Sequence, residues 1–136
     1  MEQTRITIDT HTLIWSLDEK LNYKLSEPAK QIILKAETSG IIFIPIIVLL
    51  EMLRLIEKGK CNLPFDKIVN GLKNSDSHQI IPFDVELIDI VKTIQGLELH
   101  DRLIVATAIY TNSVLVSKDR EIQKIGLNVI WSATEN

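Results

Sequence analysis

Five short apolar runs punctuate the chain at intervals that leave little choice of fold. They are ITI (6–8), IIFI (41–44), QIIPF (79–83), SVLVS (113–117) and LNVIW (127–131). Each is too short for a helix, and most are rich in β-branched residues, which favour extended backbone. Runs without polar alternation suit strands covered on both faces, and strands separated by helix-length segments pair in parallel. The expected architecture is therefore an α/β three-layer sandwich with a mainly parallel central sheet. Pro82 lacks the N–H that a central strand must donate, which argues against an interior place for the third run.

The intervening segments carry helical signals. THTLIWSL (10–17) follows the first strand directly. In the next helix Ser26 is the expected N-cap, Pro28 lies in the first turn, Ala29, Ile32, Ile33 and Ala36 form the apolar stripe, and Gly40 is the expected stop. Pro45 marks entry into a helix over 46–58, ended at Gly59. Phe65, Ile68, Val69 and Leu72 recur at helical spacing, and Asp84 is placed to cap a helix over 85–95. The segment 101–111, DRLIVATAIYT, is apolar enough to lie centrally, and REIQKIG (120–126) reads as a short helix.

With 136 residues, 46% of them hydrophobic, the chain is sized for one domain around one core, and it shows no repeat or linker. A net charge of −3 gives no bulk attraction for nucleic acid, although a local basic patch could supply one. Cys61 is the only cysteine, which excludes an intramolecular disulfide and a cysteine-cluster zinc site and suits a reducing compartment. The start, MEQTRITID, lacks the apolar region of a signal peptide. The longest apolar stretch, IIFIPIIVLL (41–50), is about half the roughly 20 residues of a membrane span. These features predict a cytoplasmic protein with no membrane role.

The acids fall in telling places. Asp9 follows the first strand and Asp119 follows the fourth by a short step, where an open parallel sheet forms its crevice. Asp101 opens the apolar helix. Glu51 lies within IIVLLEMLRL, its one-turn neighbours Ile47, Val48 and Leu55 all apolar, so it needs a partner or a wet cleft. Helix capping accounts for Asp9, Asp101 and Asp119 individually, and an ion pair with Arg54 accounts for Glu51. Spacing alone does not bring the four together. Their shared habit makes one acidic pocket the attractive reading, and carboxylates so crowded call for a divalent cation. Oxygen-only ligands suit Mg²⁺ or Mn²⁺. Zinc has little support, because His11, His78 and His100 lack metal-ligand spacing, although His100 sits beside Asp101. An acidic, metal-loaded cleft is suited to phosphoryl chemistry, and the chain has neither a GxxxxGK[ST] loop nor a GxGxxG fingerprint.

Four segments in this order carry a resemblance: IDTHTLIW (8–15), FIPIIVLLEMLRLIEKGK (43–60), LHDRLIVATAI (99–109) and LVSKDREIQKIGLNVIW (115–131). Together they resemble the PIN domain, and more narrowly the VapC-type toxin ribonucleases of toxin–antitoxin pairs. The resemblance implies a PIN-like fold in which Asp9, Glu51, Asp101 and Asp119 gather around Mg²⁺ or Mn²⁺, with Ser117 positioning a carboxylate or a water. It implies a metal-dependent endoribonuclease hydrolysing RNA phosphodiester bonds, a cognate antitoxin, and a homodimer. Two departures stand out. Leu50 and Met52 flank the helical acid where many relatives have Trp and Ile, and Glu98 only weakly replaces a further Asp found before the third acid in some.

Arg54, Lys58, Lys60, Arg102 and Lys118 are candidates to meet an RNA backbone. With aromatic residues at 5%, no base-stacking platform stands out. A non-catalytic RNA-binding protein of the same fold would be expected to have lost an acid, and all four are present; DNA cleavage by the same fold is the other alternative.

Overall fold

The computed structural model describes residues 3–125 and 128–132. The strands are β1 (Thr4–Ile8), β2 (Gly40–Pro45), β3 (His78–Ile81), β4 (Val114–Val116) and β5 (Val129–Ile130). They form one sheet in the order β3-β2-β1-β4-β5, and every pairing is parallel. The helices are α1 (Thr10–Leu17), α2 (Glu27–Ser39), α3 (Ile46–Glu57), α4 (Phe65–Lys73), α5 (Val85–Val91), α6 (Leu99–Tyr110) and α7 (Arg120–Gln123). The expected α/β sandwich is the observed one. Residue 127 of the expected last strand and Gly126 of the short helix before it lie outside the described residues.

The strand interiors explain the continuous apolar runs. Ile6, Ile8, Ile42, Ile44, Leu115 and Val116 are all essentially inaccessible, as strands covered by helices on both faces require. α2 packs on β1 and β2, while α6 packs on β1, β2 and β4. Six consecutive α6 residues, Leu103 to Ala108, are buried, so this helix is covered all round and its sequence reads as uniformly apolar. β3 pairs only with β2, and Pro82 follows it directly, in keeping with an edge position.

Helix ends follow local chemistry. The Ser26 side chain accepts the Ala29 amide and starts α2. Gly59, at φ +74°, ends α3 as expected: its amide reaches the Ile56 carbonyl and that of Lys60 the Leu55 carbonyl. Asn112, at φ +52°, closes α6 in the same manner. Gly40 stops α2 as expected, its amide on the Ala36 carbonyl, and has a second role. It is extended, opens β2 in register with Thr4, and a Cβ there would lie 2.1 Å from the Thr4 carbonyl oxygen. Close strand approach, not helix termination, demands glycine. α5 is also shorter than expected, giving way to a turn in which Thr93 and Ile94, β-branched and poor helix formers, precede Gly96 at φ +85°. Asp84 holds the N-cap position of α5 without a side-chain bond.

Candidate active site

The parallel register sets the first contact. Ile8 pairs with Val116, so the next residues out of the sheet, Asp9 and Ser117, meet at the carboxyl ends of β1 and β4. Strand order reverses across β1, and such a reversal is where open parallel sheets form their crevice. The fully buried Ser117 hydroxyl donates to Asp9 Oδ2. Its oxygen accepts the Asp119 amide at 3.0 Å. The other Asp9 oxygen, Oδ1, accepts the Thr12 amide at 3.0 Å and caps α1. Capping and pocket formation thus fall to the same carboxylate. Burial pushes the Asp9 carboxyl above its ordinary range, opposed by the hydrogen bonds from Ser117 and Thr12 and by the nearby His11.

Asp119 also serves twice. Its Oδ1 accepts the amides of Glu121 and Ile122 at 2.8 and 3.1 Å, starting α7, while its side chain lines the cleft. Glu51 is brought in by α3, which leaves β2 at the same sheet edge and packs on α1. Thr10 Oγ1 donates to Glu51 Oε1, and His100 Nδ1 lies 3.6 Å from Oε2. The partner that a carboxylate on an apolar helix requires is therefore Thr10, with His100 alongside, and not the Arg54 of the alternative reading. Asp101 lies in the first turn of α6, three residues inside the N-cap Glu98. Its carboxyl is pushed up to about 6, first by burial and then by the charges of Asp119, Glu51, Glu98 and Asp9.

All four acids line one cleft of about 690 Å³. Arg54, Lys58, Lys60 and Lys118 line it too, so positive charge borders the acids although the whole chain is acidic. His11 joins them, whereas His78 is on β3 and bonds Ser75. Two contributors escaped the sequence reading. Thr10 is adjacent to Asp9 and looks like a helix-start residue, and Trp15 is one helical turn beyond His11, a spacing that would have placed it on the cleft side.

The donor set is suited to a hard divalent cation. The carboxylates raise one another's proton affinity at Asp101, and a cation relieves that repulsion without needing nitrogen or sulfur ligands. Among the described residues, however, no three His, Cys, Asp or Glu side chains already stand in coordinating geometry. Asp9 and Asp119 each direct an oxygen to a hydrogen bond while lining the cleft.

A parallel α/β sheet with an acid-lined crevice at its strand-order reversal defines the class. The chain belongs to the PIN domain family, whose model matches residues 6–127. No curated protein matches the sequence. Among solved structures it is similar to VapBC2 from Rickettsia felis bound to a promoter DNA fragment, at 16% identity and a TM-score of 0.68, covering 95% of this chain and 100% of that one. It is also similar to a toxin–antitoxin complex from Klebsiella pneumoniae, at 19% identity and a TM-score of 0.63, covering 92% and 95%. DNA-bound VapBC from Salmonella typhimurium matches at 16% identity and a TM-score of 0.64, covering 94% and 98%. Likeness at this level of identity is likeness of fold. Among the described residues no helix is long and apolar enough to cross a membrane.

Proposed function

We propose that this protein is an endoribonuclease that hydrolyses RNA phosphodiester bonds with Mg²⁺ or Mn²⁺ and acts as the toxin of a toxin–antitoxin pair. The observation that carries the reading is the crowding of acids around Asp101, whose carboxyl is pushed up to about 6 by burial and by Asp119, Glu51, Glu98 and Asp9. A bound divalent cation supplies neutralisation of phosphate charge and a more acidic water. Asp9, Asp101 and Glu51 would hold it, directly or through water, and Asp119 would help place it or the attacking water. Ser117 keeps the Asp9 carboxylate oriented toward the cleft. Arg54, Lys58 and Lys60 offer charges to the phosphates on either side of the cleaved bond.

The test is cleavage of a total-RNA pool with Mg²⁺ or Mn²⁺, with and without chelator, followed by mapping of the new ends. Asp9→Asn retains an oxygen for the Thr12 amide and so preserves the α1 cap. It is expected to lose cleavage; parent-level cleavage by a folded Asp9→Asn protein sinks the assignment.

The toxin role carries two partner proposals. The similar structure from Klebsiella pneumoniae is a toxin–antitoxin complex, which supports a cognate antitoxin that binds or blocks the cleft. A homodimer is the second, supported by the broad apolar arc of α3, where Leu50 remains exposed. Light scattering over a dilution series tests it, and a monomer persisting at high concentration contradicts it.

A further inference from the structure

Reading the cleft as a phosphodiesterase centre leaves one of its residues without a task. Trp15 lines the same cleft as Asp9 and Asp119 yet offers neither ligand nor charge. Its neighbours on α1, Leu13 and Ile14, are buried in the core, whereas Trp15 is only half-buried. The ring lies six residues beyond Asp9, about 9 Å along the helix. Trp131 supports it at 6.0 Å between ring centroids, and His11 lies at 5.6 Å, both tilted. Two ammonium groups, of Lys24 and Lys118, lie over the ring at 5.7 Å from its centroid, so a stacking base would displace an ammonium from the face it takes. Lys118 immediately precedes Asp119, so the aromatic surface and the acids share one border.

An aromatic ring in a cleft of this kind, flanked by cations, suits one kind of ligand. Every nucleobase has a π-face that stacks on such a ring regardless of sequence, while neighbouring ammonium groups meet the phosphates. Only an unpaired base is free to do so. We infer that Trp15 is a stacking platform for the unpaired base of a nucleotide near the scissile phosphodiester, with Lys118 and Lys24 meeting that nucleotide's phosphates. The inference rests on the ribonuclease reading and adds to it a base-contacting role for Trp15. It also revises the expectation, drawn from low aromatic content, that the chain has no such platform. Position matters here more than abundance.

The test measures binding of short single-stranded RNA to the full-length Asp9→Asn protein in Mg²⁺, by fluorescence anisotropy. Adding Trp15→Ala is expected to weaken binding roughly 5- to 150-fold, and Trp15→Phe to restore most of it. The dependence of binding on salt should be unchanged by Trp15→Ala, because no phosphate contact is lost, but should flatten in Lys118→Ala. A second arm leaves Trp15 intact and removes one base at a time from the RNA, keeping the sugar and phosphate. One position should show the same loss as Trp15→Ala, and combining the two should add little further. Unchanged binding by Trp15→Ala overturns the inference alone. So does an equal loss on every abasic RNA, which marks a structural role. If the Asp9→Asn protein binds no single-stranded RNA, the ribonuclease reading falls and the stacking platform with it.

Discussion

The Ser117 hydroxyl joins the two strand-end acids: it donates to Asp9 Oδ2 and accepts the backbone amide of Asp119 at 3.0 Å. One small, fully buried side chain thereby ties the end of β1 to the start of α7. Ser117→Ala removes the strongest of the hydrogen bonds holding down the Asp9 proton affinity. On the proposed nuclease reading the acid limb of the cleavage rate should move to higher pH, since Asp9 would have to lose its proton to act as a ligand. Stability should fall by about 1–3 kcal/mol, because the Asp119 amide also loses its acceptor. A pH–rate profile and denaturant unfolding check the two effects, and Ser117→Thr, which keeps the hydroxyl, should retain the parent's acid limb.

Thr10 anchors Glu51 and is itself buried. Thr10→Val keeps the shape and removes the donor. Cation affinity is expected to drop about 10-fold, the scale seen when the support of a metal ligand is lost. Titration calorimetry with Mn²⁺ measures this. Loss of folding in place of loss of affinity would assign Thr10 to packing instead.

Asp101 gives the fold a pH dependence of unusual sign. Its folded carboxyl, at about 6, lies above its ordinary value of 3.8. Between those values the folded state binds more protons than the unfolded one, so lowering the pH through this window stabilises the metal-free protein. Above about 6 that contribution is lost. Asp101→Asn should therefore raise Tm in chelator at about pH 7.5 and change it less at about pH 5. Added Mg²⁺ should stabilise the parent at the higher pH and the variant less, which thermal unfolding with and without the ion resolves.

Gly40→Ala tests the close approach of β1 and β2. The new Cβ would meet the Thr4 carbonyl oxygen at 2.1 Å, and the obstacle is backbone that has no rotamer to change. A loss of about 3 kcal/mol is expected in denaturant unfolding. Gly71, whose surroundings within 4 Å are open, serves as a control for the general cost of replacing glycine.

The strands were legible because burial on both faces leaves a mark that no polar residue interrupts, as at Ile42, Phe43 and Ile44. The placement of β3 at an edge was legible through Pro82. Gly40 was legible as the stop of α2, but its close strand approach was not, since only the Thr4 carbonyl across the sheet reveals it. At the site, the strand-end positions of Asp9 and Asp119 pointed to a shared crevice through the parallel topology. Thr10 and His100 did not announce themselves as the surroundings of Glu51, since those contacts span 41 and 49 positions of chain and depend on how α1, α3 and α6 pack. Trp15 was hidden by counting aromatics in place of noting that it stands one helical turn beyond His11, and both line the cleft.

The position of β1 between β2 and β4 has a consequence for when the protein becomes dangerous, on the ribonuclease reading. β1, with Asp9 directly after it, leaves the ribosome early, but its second neighbour begins at Val114, and Asp119 comes later still. At a synthesis rate of roughly 5–20 residues per second, the nascent chain spends several seconds with an incomplete set of acids. On that reading chain order would act as a safety interval: a translating ribosome is close to its own product, yet would meet an armed cleft only once synthesis has passed Asp119.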